Sequence, residues 1–284
     1  MVGMWTSTST VTDSGTARPV RVSGGEVATY VMGDGPPVVL THGSPASSYL
    51  WREVAPVLAR DHTVHVWDLL GYGDSRAAEG VAPTIARQAR TLAELAAHWG
   101  IDDGTALLVG HDIGGGVVMR AYLLEGLAAA RLALVDAAVL GPWNTPFTEH
   151  QQRHAEVYRT MPADIFGDLV AARFASATHH PMPPEVARAY AAPWQGADGQ
   201  RRWLDQVEAV SFEDTREVVD RLGEVAVPSL VLWGAEDRWL APRTADLLAA
   251  AIPGARRELI PGGGHFLPED RPLETAHALR RFAA

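Results

Sequence analysis

The segment Ala106–Leu124, ALLVGHDIGGGVVMRAYLL, decides how the rest of the chain reads. Its first part is a nearly unbroken apolar run, the pattern of a strand covered on both faces. Its last part is helix-like. The seven residues between, GHDIGGG (Gly110–Gly116), hold four glycines. A strand that turns sharply into a helix leaves one residue strained and exposed at the turn, and small neighbours give it room. Here that residue is Asp112. The helix start beside it supplies free N–H groups. Asp is also a good helix N-cap, so the turn alone leaves open whether Asp112 is a cap or a nucleophile.

Working outward, similar apolar runs recur at Val38–Gly43, His62–Leu70, Leu132–Val139, Ser229–Ala235 and Arg256–Gly262. Helix-period segments lie between them. Ile85, Ala89, Leu92, Leu95 and Trp99 share one helical face, and Gly100 stops it. A last helix is predicted from about Pro272 to Phe282. This alternation predicts an α/β fold with a mostly parallel, doubly wound sheet. The runs ARPVRVSGG and EVATYVMG read as an antiparallel leading hairpin. The rhythm breaks over residues 143–221, where helix-like pieces at Thr148–Met161, Asp164–Ser176 and Pro184–Ala192 are rich in His, aromatics and Pro. The expected organisation is a polar tail at 1–17, a core formed by 18–142 and 222–284, and a helical cap at 143–221.

Composition removes several chemistries. The net charge of −10 leaves no basic patch for phosphate, which argues against nucleic-acid binding. There is no cysteine, hence no thiolate nucleophile, disulfide or cysteine–zinc site. There is no lysine either, which excludes Schiff-base chemistry and a Walker-type phosphate lysine. No apolar run approaches the ~20 residues of a membrane helix. The N-terminus lacks a basic segment followed by an apolar one. A cytoplasmic protein without cofactor or metal, and without membrane or nucleic-acid partners, is the expectation; its oligomeric state is unreadable.

Three further stretches carry chemistry. HGSP (His42–Pro45) follows a strand, and the N–H of Ser44 could point at the same spot as that of Ile113, forming a two-donor oxyanion hole. In VLWGAEDRWLAP, Asp237 sits just after a buried strand, with Glu236 as the competing carboxylate. In PGGGHFLPEDRP, His265 follows three glycines. The order nucleophile, acid, histidine (Asp112, Asp237, His265) is that of the α/β-hydrolases, each residue predicted at a strand end.

On these motifs the chain resembles the α/β-hydrolase superfamily from about Gly33 to the C-terminus. DLLGYGDS (Asp68–Ser75) and GHFLPEDRP (Gly264–Pro272) also look like family stretches. The resemblance implies an eight-stranded sheet with the cap inserted after strand 6. It is specifically similar to the aspartate-nucleophile branch of epoxide hydrolases and dehalogenases, which share HGxP.

Chemistry explains the aspartate. Serine attacking an sp³ carbon would form an ether, a dead end, whereas a carboxylate forms an alkyl ester that water can cleave at the carboxyl carbon. An Asp with pKa ~3.9 needs no base for its first step. His265 is therefore expected to start neutral, oriented by Asp237, and to activate water in the second step. The resemblance implies halide-binding Trp or Arg after the nucleophile in dehalogenases; Ile113 and Ser44 depart from those patterns, which favours an epoxide. It also implies a cap proton donor, for which Tyr158, Tyr190 and then His154 are the candidates. His42, Trp143, Phe147 and Phe266 complete the expected contacts to a small apolar substrate. Hydrolytic dehalogenation on the same machinery is the alternative, then a non-hydrolytic binder or biosynthetic relative, and then ester or lactone hydrolysis.

Overall fold

The computed structural model describes residues 17–284. The tail expected at 1–17 lies outside this span except for Ala17. The strands are β1 (Arg18–Val22), β2 (Gly25–Met32), β3 (Pro37–Thr41), β4 (Thr63–Trp67), β5 (Arg76–Ala77), β6 (Leu107–His111), β7 (Arg131–Val135), β8 (Ser229–Gly234) and β9 (Arg256–Ile260). Eight of them run in the order β1-β2-β4-β3-β6-β7-β8-β9. β1–β2 and β2–β4 are antiparallel, and every pairing from β4 to β9 is parallel. The two-residue β5 pairs with the start of β2, so the described sheet has nine strands rather than eight.

The expected doubly wound architecture is present. The middle strands are apolar on both faces because helices cover both faces. Val38–Leu40, Leu108 and Val109, Leu132–Val135 and Val231–Trp233 are fully enclosed. Each such large side chain stabilises the fold by roughly 1.5–3 kcal/mol. The helices before the cap are α1 (Ala55–Leu58), α2 (Ile85–Trp99) and α3 (Ile113–Leu123). α2 is capped by Thr84, whose side chain accepts the Arg87 N–H, and ends at Gly100 in the left-handed region, as its sequence predicts.

Six helices fill the stretch between β7 and β8: α4 (Pro146–Arg153), α5 (Ala155–Arg159), α6 (Ala163–Ala175), α7 (Pro184–Ala191), α8 (Gly196–Ala209) and α9 (Glu213–Val219). Where one helix is predicted over Thr148–Met161, the backbone breaks at His154 (φ −129°). The break lets α5 lie on α8, where Gln200 donates to the carbonyls of Tyr158 and Met161 at 2.6 and 2.9 Å. α8 itself was hidden in the sequence, because only a narrow stripe including Trp203 and Leu204 is buried. Trp194 ties this layer to the sheet by donating to the Pro45 carbonyl at 3.1 Å. The chain closes with α10 (Arg243–Ala251), α11 (Leu267–Asp270) and α12 (Pro272–Ala283). Among the described residues no helix is long and apolar enough to cross a membrane.

The chain leaves β3 towards β4 on one side and returns to β6 on the other. The β3–β6 boundary is thus the point where strand order reverses, and its carboxyl edge is where open α/β sheets bind ligands. HGSP and GHDIGGG both sit there.

Candidate active site

Asp112 occupies the turn between β6 and α3 with φ +50° and ψ −127°, a conformation that stores of order 1–3 kcal/mol of strain in a non-glycine residue. Its side chain caps no N–H of α3. Close packing sustains the turn. A Cβ on Gly114 would strike the backbone oxygens of His42 and Thr41, and one on Gly43 would strike the Asp112 side chain. Only glycine fits at either position.

The two carboxylate oxygens of Asp112 have different surroundings. Oδ2 accepts the Ser44 N–H at 2.8 Å, and the backbone of neighbouring Ile113 also favours the ionised carboxylate. Oδ1 lies 3.5 Å from His265 Nε2. His265 Nδ1 faces Asp237 Oδ2 at 3.0 Å, and Asp237 Oδ1 accepts the N–H groups of Trp239 and Leu240 at 2.7 and 2.9 Å. The competing carboxylate, Glu236, is turned away and accepts the Gly262 N–H. The indole of Trp239 stacks on the His265 ring at 4.7 Å.

The electrostatics correct one expectation. Burial alone would lower the pKa of His265, but the charges of Asp237 and Asp112 overcome it and raise the pKa to about 10. The direction favours the imidazolium over the neutral ring. Burial would raise the Asp112 pKa, but the charge of His265 wins and lowers it, so Asp112 is ionised. Esterifying Asp112 would remove one of the two charges that hold the proton on His265.

A small cavity of about 60 Å³ opens over Asp112. Ser44, Ile113, Trp143, Phe147 and Trp239 line it, together with Gln151 and Arg173. Trp143 and Phe147 stand where the sequence reading puts them. The other expected contacts do not reach the cavity lining. His42 is fully buried behind it, accepting the Leu69 N–H on Nε2 and facing the Gly43 carbonyl through Nδ1, with its pKa lowered by burial to about 3. It braces the HGSP turn as a neutral ring. Phe266 packs against His111, Tyr190 and Trp239 beneath the site. His154 is exposed and stacks near His150.

Both tyrosines also miss the cavity. Tyr158 is packed edge-on against Phe147 and His150, because α5 is drawn onto α8. Tyr190 donates its hydroxyl to Glu269 Oε2 at 2.9 Å, and Glu269 holds Arg52 through two 2.7 Å bonds. That phenol is committed to a structural network.

Three residues escaped the sequence reading. Arg173, on α6, lies over the Trp239 ring at 3.3 Å. Gln151, on α4, is 1% exposed and lines the cavity. Asp136 follows β7 with φ +42° and accepts the Gly234 N–H on Oδ1 at 2.8 Å. Burial, then the charge of Asp237, raises the Asp136 pKa well above the usual carboxylate range. Its only sequence signal was its place at a strand end, in LVDAAV. Among the described residues no cluster of His, Cys, Asp and Glu could hold a metal.

Comparison with known proteins agrees with this architecture. The model of the alpha/beta hydrolase fold matches residues 36–272, and the chain belongs to that family. It is 31% identical to epoxide hydrolase A of Mycobacterium tuberculosis over 87% of this chain and 90% of that one. It is 28% identical to haloalkane dehalogenase 2 of the same organism, covering 87% of each. An alpha/beta hydrolase fold protein from Burkholderia ambifaria superposes with a TM-score of 0.88 at 32% identity, over 93% of this chain and 96% of its own.

Proposed function

We propose that the protein hydrolyses epoxides through a covalent ester on Asp112. The observation that carries this reading is the division of labour between the two Asp112 oxygens. Oδ2 rests on the Ser44 N–H, where an ester carbonyl oxygen would later need hydrogen bonds. Oδ1 is ionised and faces His265. Oδ1 attacks the ring carbon, the C–O bond breaks, and the ring oxygen is left as an alkoxide. That alkoxide needs one proton, and His265, deprived of the Asp112 charge, has one to release. The transfer leaves His265 neutral, as the base the second step requires. Water activated by His265 then attacks the carboxyl carbon of Asp112, and the Ser44 and Ile113 N–H groups hold the tetrahedral oxyanion; its collapse breaks the ester C–O bond, the diol oxygen leaves with the proton of the added hydroxyl, and the Asp112 carboxylate and the imidazolium are restored. Asp237 keeps the imidazole oriented throughout. This assignment replaces the cap tyrosines with His265 as the proton source.

A single turnover in ¹⁸O-labelled water should place one heavy oxygen in the Asp112 carboxylate. Turnover with unlabelled Asp112 sinks the proposal. In His265→Gln the ester should accumulate and be visible by intact mass. Dehalogenation is the second reading, favoured because no tyrosine lines the cavity among the described residues, and a halide leaves without a proton. Halide release from simple haloalkanes, with no diol from epoxides, would establish it instead.

A further inference from the structure

The wall of the cavity opposite the Asp112 turn contains donors that the hydrolytic scheme leaves unused. Arg173 lines the cavity with no carboxylate partner among the described residues. Among the described residues its guanidinium donates one hydrogen bond, from Nη2 to Thr145 Oγ1 at 3.2 Å. The rest of the guanidinium is sandwiched by aromatics, over Trp239 at 3.3 Å and near Phe147 at 5.5 Å. Burial lowers its pKa to about 10, which the charge of Asp112 partly offsets, so it remains a cation at neutral pH. A guanidinium carries five N–H donors in a fixed fork, so most of this fork has no acceptor. A second, independent observation comes from Gln151. Its Oε1 accepts the Trp203 indole at 3.3 Å, which turns its amide nitrogen elsewhere, and that buried Nε2 has no partner.

Unmatched buried donors are expensive unless a ligand satisfies them. That cost applies to Gln151 Nε2, and the open fork of the half-buried Arg173 lines the same cavity as the proposed nucleophile. The cavity is also small: about 60 Å³, less than half of the ~150 Å³ that accommodates benzene. A purely apolar ligand of that size would gain little from burial. An anionic one would gain from Arg173, and Arg173 would also offset its repulsion by ionised Asp112.

We propose that Arg173, assisted by Gln151, forms a carboxylate-binding subsite, and that the substrate is a short carboxylic acid bearing its electrophilic sp³ carbon within a few atoms of the carboxylate. This rests on the Asp112-ester reading for the reaction, while the subsite stands on its own donors. The guanidinium fork takes the carboxylate in two parallel bonds, which fixes the reactive carbon against Asp112 Oδ1. It replaces the broadly apolar substrate expected from the cap aromatics.

The test uses matched pairs that differ only in charge: 2,3-epoxypropanoate against its amide, and chloroacetate against chloroacetamide. Wild-type enzyme should prefer the acid in kcat/KM by about tenfold or more, a measurement that needs no variant. Arg173→Met should lower that acid-to-amide ratio by about 30-fold or more, with Arg173→Lys in between, since it keeps the charge and loses the fork. A wild-type preference for the amides, or a ratio unaltered in Arg173→Met, overturns the subsite. If none of the four compounds is turned over, binding decides. At matched ionic strength, sodium lactate should raise the melting temperature of the wild type more than lactamide does, and the difference should vanish in Arg173→Met; equal shifts overturn the proposal. Lactate binding without turnover would uphold the subsite and count against the Asp112-ester reading.

Discussion

The carboxyl edge of the sheet and the helical wall facing it are built on opposite terms. At the edge, Ser44, Asp112, Asp237 and His265 come from the turns after β3, β6, β8 and β9. Their key atoms are held by local backbone: Asp112 Oδ2 by the Ser44 N–H, Asp237 Oδ1 by two N–H groups, and His42 by groups on both ring nitrogens. On the facing wall, Gln151 Nε2 has no partner and the Arg173 fork is mostly unfilled. The edge is largely bonded within itself, with His265 Nε2 left open towards Asp112, whereas the wall presents donors that await an acceptor. Chemistry is thereby assigned to the edge and selectivity to the wall, and variants on the two sides should fail in different ways.

The largest effect is expected at the edge. Asp112→Asn should reduce kcat by about 10⁴-fold or more, since the proposed nucleophile is lost. Pre-steady-state assays should show no ester burst. Arg173→Met, by contrast, should act chiefly on the acid-to-amide ratio. If both variants lowered kcat equally on every substrate, the division between edge and wall would be wrong.

Next in size is Gly114→Ala. The added methyl has backbone oxygens of His42 and Thr41 in its way, and backbone cannot swing aside as a side chain can. A destabilisation of about 3 kcal/mol is expected, as for an overpacked core. Urea unfolding should show a lower midpoint at unchanged slope. A wild-type midpoint would mean that the turn tolerates far more slack than its packing indicates.

The ion triad has a pH signature. The folded pKa of His265 is raised to about 10, against ~6.5 for an unfolded histidine. The folded state therefore holds the extra proton through this window. Its stabilisation is complete below about pH 6.5 and is lost as pH rises towards 10, by at most about 1.4 kcal/mol per pH unit from this group. Removing the Asp112 charge must lower the His265 pKa. In Asp112→Asn the histidine should titrate at lower pH by NMR, and the alkaline fall in stability should flatten over the upper part of the window. An unchanged titration would remove the proton source from the proposed ring opening.

How much of this could be read in the sequence follows the same boundary. The edge was legible because its features are short-range. Four glycines around Asp112 report a steric demand within a few residues, and unbroken apolar runs such as PVVLT and ALLV report burial on both faces. Asp136 was missed although it also ends a strand, because the pairing of its carboxyl with the Gly234 N–H joins residues 98 apart. The wall was mostly illegible for that reason. Whether Tyr158 or Arg173 faces Asp112 depends on how α5 and α6 dock. That docking is set by contacts such as Gln200 to Tyr158 O and Trp194 to Pro45 O, which no local pattern announces. The kink at His154 is the clearest case: the helical period continues through it, and the bonds from Gln200 of α8 to the Tyr158 and Met161 carbonyls lie far from it in sequence.

The smallest expected effect probes that docking directly. Tyr158→Phe removes a hydroxyl that lies off the cavity lining, on a ring edge-packed with Phe147 and His150. Epoxide turnover should stay within about twofold of wild type, since no transition-state interaction is lost. Tyr190→Phe should differ in kind. It deletes a buried bond to the Glu269 carboxylate that also anchors Arg52, so about 1–2 kcal/mol of stability should be lost while the acid-to-amide ratio holds. A collapse of kcat in Tyr158→Phe without loss of stability would mean that α5 swings its phenol onto the substrate during turnover. The proton would then come from the helical wall rather than from His265, and the separation of chemistry from selectivity would fail at that one residue.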